Sequence, residues 1–179
     1  MQSFPSCMQL QINCSASLAN LASVELNRKA MLEDGCIKLV LENMSKFMSS
    51  AAFQAEVCAT LANLACHETN AKYIVQYGGC NLIIKGMRTH LKKVDLQVQA
   101  FHALASLGKP GREVLERESF ADVLMNSLQT HSKELELVTG TQLHVTILEM
   151  YHVCNHYVDF SCLACYRFTC KFGFEYKQI

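Results

Sequence analysis

The chain has 179 residues, half of them apolar, with sixteen basic side chains against sixteen acidic ones. So much apolar material at this length excludes a disordered tail and suffices for one buried core. The charges balance on both sides of position 138, and no basic block or one-signed face points to nucleic acid or an anionic membrane.

Residues 1–6 carry no basic side chain and lead into no long apolar run, so no secretory leader is expected. Nor does any stretch approach the roughly 18 uninterrupted apolar residues of a membrane-spanning helix. The expected setting is cytoplasmic, without membrane insertion. Six of the ten cysteines (Cys7, Cys14, Cys36, Cys58, Cys66, Cys80) are scattered through helical pattern, where they are expected to be reduced and to act as small core residues. Asn13-Cys14-Ser15 and Asn43-Met44-Ser45 match the glycosylation sequon but fall in expected helices and are treated as chance.

The first element opens a repeat. Gln11-Ile12-Asn13, Gln54-Ala55-Glu56 and Gln97-Val98-Gln99 stand 43 residues apart, and so do Leu18, Leu61 and Leu104 in the words Leu-Ala-Asn-Leu-Ala, Leu-Ala-Asn-Leu-Ala and Leu-Ala-Ser-Leu-Gly. A fixed period of this size marks a stacked-helix array. Each segment predicts a long helix with a buried stripe: Cys14, Leu18, Leu21, then Val57, Leu61, Leu64, then Ala100, Leu104, Leu107. The chain thus begins inside a repeat.

A polar turn follows each long helix, Ser23 to Asn27 and Cys66 to Asn70, and then a short helix, Arg28 to Asp34 and Ala71 to Tyr77. Asn27 and Asn70 stand where N-caps are expected. Gly35 and Gly78-Gly79 break the chain before a second helix, Cys36 to Met44 and Cys80 to Met87, and a loop returns to the next long helix. In the third unit Lys109-Pro110 replaces the polar turn. Val114, Leu115, Val123, Leu124, Met125 and Leu128 keep register with Tyr73, Ile74, Leu82, Ile83, Ile84 and Met87 only if two residues are deleted. The break there falls at Ser119-Phe120, without glycine.

From about Val138 the register is lost, and residues 138–179 hold eight of the fifteen aromatics and four of the ten cysteines. The domain reading is therefore a repeat region over 1–137 and an irregular tail over 138–179. The tail is either a selected structure or the product of an alternative exon or read-through.

A short helix, a glycine break, a second helix and a long third helix ending in Leu-x-Asn-Leu-Ala resembles the armadillo repeat. The clearest copy is Asn70 to Ile84 completed by Gln97 to Leu107, and the resemblance spans about Leu10 to Leu128. It implies an all-α, right-handed solenoid of two and a half to three repeats. The third helices of such a solenoid line a concave groove that takes an extended peptide or a partner helix. In such grooves an asparagine near the end of the third helix holds the ligand backbone, a position filled here by Asn20, Asn63 and then Ser106. The accompanying row is Asn13, Glu56 and Gln99. A tryptophan completes the nuclear-import version of the groove, but Ala16, Ala59 and His102 stand there, which argues against a nuclear-localisation receptor. The bland reading of Asn20 and Asn63 stays open beside this one: an asparagine near a helix end also bonds its own repeat's backbone.

No Gly-x-Ser-x-Gly word accompanies a candidate nucleophile, and Gly108-Lys109-Pro110-Gly111 lacks the spacing of a phosphate loop and reads as a turn. Cys66, His67, Glu68 and His90 read as solvated loop residues. In the tail, His152, Cys154, His156, Cys162, Cys165 and Cys170 offer thiolate and imidazole ligands, of which the four cysteines are the candidates for zinc, without a regular finger spacing.

The sequence thus reads as a non-enzymatic protein-interaction module, without cofactor, that is a fragment or isoform of a longer scaffold. Its groove would present Asn20, Asn63, Ser106, Glu56, Gln99 and His102 to a protein or peptide, and its exposed solenoid ends could self-associate. Two other readings are the accessory repeats of a kinase or hydrolase whose catalytic part is elsewhere, and a scaffold with a zinc-binding tail.

Overall fold

The computed structural model describes Met1, residues 6–117 and residues 120–131. Among these the chain is all-helical, in nine helices: α1 (Met8–Ser23), α2 (Glu25–Glu33), α3 (Cys36–Lys46), α4 (Ala51–Ala65), α5 (Glu68–Gln76), α6 (Gly79–Thr89), α7 (Val94–Ser106), α8 (Gly108–Arg117) and α9 (Phe120–Thr130). No described helix is long and apolar enough to cross a membrane. The tail with Cys154, Cys162, Cys165 and Cys170, the boundary at 137/138 and the break at 118–119 lie outside the described residues.

The helices pack in three rows, each set by the period. The long helices α1, α4 and α7 lie side by side with α4 in the middle, the short helices α2, α5 and α8 follow one another, and so do α3, α6 and α9. Between the rows runs one apolar core, in which Phe53, Phe101, Ile37, Met44, Leu61, Ile74 and Ile83 are fully covered. Phe101 and Phe120 meet edge to face with ring centres 6.5 Å apart, a favoured aromatic geometry. The two-residue deletion holds: Leu115 and Leu124 are as buried as their counterparts Ile74 and Ile83.

The glycine breaks have a backbone cause. Gly35 and Gly78 take φ values of 72° and 77°, the left-handed region that a side chain disfavours. The next residue in the second copy, Gly79, begins α6 against the end of α5, where a Cβ would stand 2.8 Å from the Ile74 carbonyl oxygen. That approach admits no side chain.

A glutamine stands in the first turn of each long helix, and in α4 and α7 it closes the helix before it. Gln54 is fully buried and its Nε2 donates to the carbonyls of Met44 and Phe47 at 2.8 and 3.1 Å; Gln97, equally buried, donates to Met87 and His90 at 3.1 and 3.2 Å. These are carbonyls at the ends of α3 and α6, where a helix has no partners of its own. Gln11 holds the same register and donates to the Met1 carbonyl at 3.0 Å.

Other side chains reach one full unit back. Asn70 Nδ2 donates to the Arg28 carbonyl at 3.0 Å, the His90 ring bonds the Met48 carbonyl at 2.7 Å, and the His131 ring bonds the Leu91 carbonyl. His90 and His131 are counterparts once the two deleted residues are counted, as are Met48 and Leu91. The same bond is thus made twice.

Several expectations are corrected. Helices α2 and α5 begin at Glu25 and Glu68, three residues before Arg28 and Ala71, because an acidic side chain in the first turn suits the positive end of a helix. Asn27 and Asn70 are therefore inside these helices and do not cap them. Asn27 Nδ2 instead takes the Leu21 carbonyl at 2.9 Å, while Arg28 takes those of Ala22 and Ser23, so together they close the end of α1. The Gly108-Lys109-Pro110-Gly111 stretch is the first turn of α8, not a separate turn; proline is tolerated there because its missing N–H would have no partner.

The buried stripe holds in α4 and α7 but not in α1. Leu64 and Leu107 are 0% and 1% exposed, whereas Leu21 is 52% exposed, because no described second helix lies on that side of α1. What α1 buries, besides Gln11, is Ser15, Ala19 and Ala22, and α4 is the helix it packs along. Of the six cysteines only Cys58 and Cys80 are buried; Cys7 and Cys66 are exposed and Cys14 and Cys36 half-buried, and all six are free thiols. Burial pushes the Cys58 and Cys80 thiols up to about 12, which keeps them protonated and unreactive.

Replacing Gln54 with leucine would leave the last carbonyls of α3 without a donor. The expected cost is about 1–3 kcal/mol, read as a lower urea midpoint at unchanged slope; a midpoint equal to the parent's would show that the amide is dispensable.

Candidate functional site

Each long helix exposes residues at i, i+3 and i+7, one face of an α-helix. On α1 these are Asn13, Ala16 and Asn20; on α4, Glu56, Ala59 and Asn63; on α7, Gln99, His102 and Ser106. Asn13 and Asn20 are exposed and the others half-buried. Because α4 packs along both α1 and α7, the three triplets form one surface, with the small Ala16 and Ala59 in the middle row between polar rows. The six candidates Asn20, Asn63, Ser106, Glu56, Gln99 and His102 therefore share a face.

Their side chains are not equally available. Asn63 Nδ2 donates to the Ala19 carbonyl on α1 at 2.8 Å. Beside it, Thr60 is fully buried and its hydroxyl lies 3.0 Å from the Ser15 carbonyl and 2.9 Å from that of Glu56. Asn63 thus helps to clamp α4 to α1, a role that sequence spacing could not show because its acceptor is 44 residues away. Ser106 Oγ bonds back to the His102 carbonyl within α7 at 2.9 Å. Asn20 has an exposed side chain at the Asn63 register.

Partial burial holds the His102 imidazole below its ordinary value of 6.5, since desolvation disfavours the charged ring. Near neutral pH it is thus an uncharged donor and acceptor. Glu56 is the one formal charge among the nine face residues. The face offers hydrogen bonding through Asn20, Glu56, Gln99 and His102 but little charge selectivity. Among the described residues no three His, Cys, Asp or Glu side chains gather in a way that could hold a metal ion.

Comparison of the chain with protein-family models, curated proteins and solved structures found no match.

The two asparagines should part company under substitution. Asn63→Ala removes a bond between helices and is expected to cost about 1 kcal/mol, whereas Asn20→Ala should leave the unfolding free energy within about 0.5 kcal/mol of the parent's, both read from urea unfolding. Equal losses would show that Asn63 clamps nothing.

His102 adds a pH dependence of known sign. Its folded value is depressed, so the unfolded chain binds the proton more readily; the stability it contributes is full above about pH 6.5 and falls as the pH drops through the folded value. His102→Gln should shrink the fall in melting temperature between about pH 7.5 and 5.5; identical pH profiles would remove His102 from the account.

Proposed function

We propose that the chain is an armadillo-like, right-handed helical solenoid acting as a non-enzymatic interaction module. Its ligand is an extended peptide or a partner helix laid across α1, α4 and α7. The observation that carries this reading is the row of Ala16 and Ala59, continued by His102, between polar rows on three adjacent helices. Small side chains there lower the surface and let a backbone approach. The flanking Asn20, Glu56, Gln99 and His102 supply the donors and acceptors that a peptide backbone needs. Asn63 and Ser106 belong to the same face but work chiefly to hold it in shape, Asn63 by its bond to Ala19 and Ser106 by its bond to the His102 carbonyl. With little charge on the face, affinity would come from backbone bonding and shape, and selectivity from side chains reaching past the alanines.

Selection from a library of displayed linear peptides, followed by titration of a synthetic hit, tests this. Ala59→Arg fills the middle row and should weaken the hit at least about tenfold, a loss of about 1.4 kcal/mol, with unchanged helicity and melting. His102→Ala, at the end of the row, should weaken it less. Undiminished binding to both variants would overturn the assignment of this face.

A further inference from the structure

We propose that acid releases a peptide held on the face of α1, α4 and α7, with His102 as the group that takes up the proton. The inference rests on the reading of that face as a peptide site and adds the regulation of the site. The period sets the place of the ring: in the middle row, where α1 and α4 carry Ala16 and Ala59, α7 carries His102. A ligand lying along the row meets two methyl groups and then an imidazole.

That ring has no other engagement. Of the four described histidines, His90 and His131 commit their rings to the Met48 and Leu91 carbonyls one unit back, and His67 stands between α4 and α5. The His102 ring bonds no described residue; only its backbone carbonyl is engaged, by the Ser106 hydroxyl. Yet the ring is half-buried, on a helix packed along α4. Its nitrogens are open to a ligand in surroundings that already resist charge.

The helices packed on α7 are α4, α6 and α8. Among described side chains, α4 brings one formal charge, Glu56; α6 brings Lys85 and Arg88; α8 brings Lys109, Arg112 and Glu113; and α7 itself carries Asp95. The buried thiols of Cys58 and Cys80 on α4 and α6 stay protonated. Burial alone, and none of these charges, lowers the titration of the ring.

The direction follows from what protonation changes. A neutral ring is one donor and one acceptor, which matches a backbone C=O and N–H; a charged ring is two donors. In acid the acceptor is lost, and a peptide laid over the row would seal a positive charge away from water at a cost. The complex therefore keeps the ring neutral to lower pH than the free protein does, and by linkage the affinity falls as the pH drops. The opposite sign would need a ligand carboxylate at the ring, on a face whose one formal charge, Glu56, is of like sign.

A peptide selected at about pH 7.5 from a displayed library lacking Asp, Glu and His, then synthesised with blocked termini, is titrated against the full chain down to about pH 5.5. Its dissociation constant should rise about three- to tenfold, tenfold being the limit for one proton bound below about pH 6.5. His102→Gln keeps a donor and an acceptor but does not titrate, so the ratio of its two constants should be close to one at whatever affinity it shows. His90→Gln, off the face, should keep the parent's ratio, and circular dichroism at both pH values checks the fold of each protein. Affinity that is constant or rises in acid, a ratio that survives His102→Gln, or unfolding of the parent within the range would overturn acid release and leave the peptide face standing. Failure to select any peptide, or binding indifferent to Ala59→Arg, would remove the face and this proposal with it.

Discussion

A buried amide at the head of each long helix is the constraint on which the rest of the structure depends. A helix that ends inside a protein leaves carbonyls without partners, and water cannot reach them to compensate. Gln54 and Gln97 meet that requirement at the ends of α3 and α6 and, by doing so, fix where the returning loop must deliver the next long helix. Once α4 and α7 are delivered at a common offset, their flanks must match. Thr60, Asn63, Asn70, His90 and His131 then form bonds one unit back. Polar side chains thus set the spacing of the rows, and the apolar core fills the space between them.

That division of labour explains what could be read from the sequence. The period, the positive-φ glycines at 35 and 78 and the two-residue deletion are local or compositional signals, and each corresponds to an element in the described residues. Gln11, Gln54 and Gln97 were visible as markers of register, but the helix-closing role of Gln54 and Gln97 was not. Their acceptors, ten residues before them, become neighbours only after the chain has turned back on itself.

What the sequence concealed was the partner of each polar group. Asn63 has the spacing of a groove residue and sits on the exposed face, yet its amide is committed to a carbonyl on α1. Asn27 looks like a cap for the helix after it and closes the one before it. The stripe Cys14, Leu18, Leu21 has the same periodicity as Val57, Leu61, Leu64, but periodicity describes which residues seek cover and is silent on whether cover is present. For the candidate site, the sequence suggests a shared face for six residues, whereas only coordinates reveal that the Asn63 amide and the Ser106 hydroxyl are bonded to backbone carbonyls.

The one-sided support of α1 also fixes how the molecule loosens. Helix α4 is flanked by α1 and α7, so its backbone amides open to solvent only when several helices separate together. Helix α1 gives up the bonds from Thr60 and Asn63 and one apolar flank, and no described long helix lies on its far side. Amide hydrogens along α1 should therefore exchange with solvent through a shallow, single-layer opening, and those of α4 through a much deeper one. Among the described long helices, the middle one is thus the last to open.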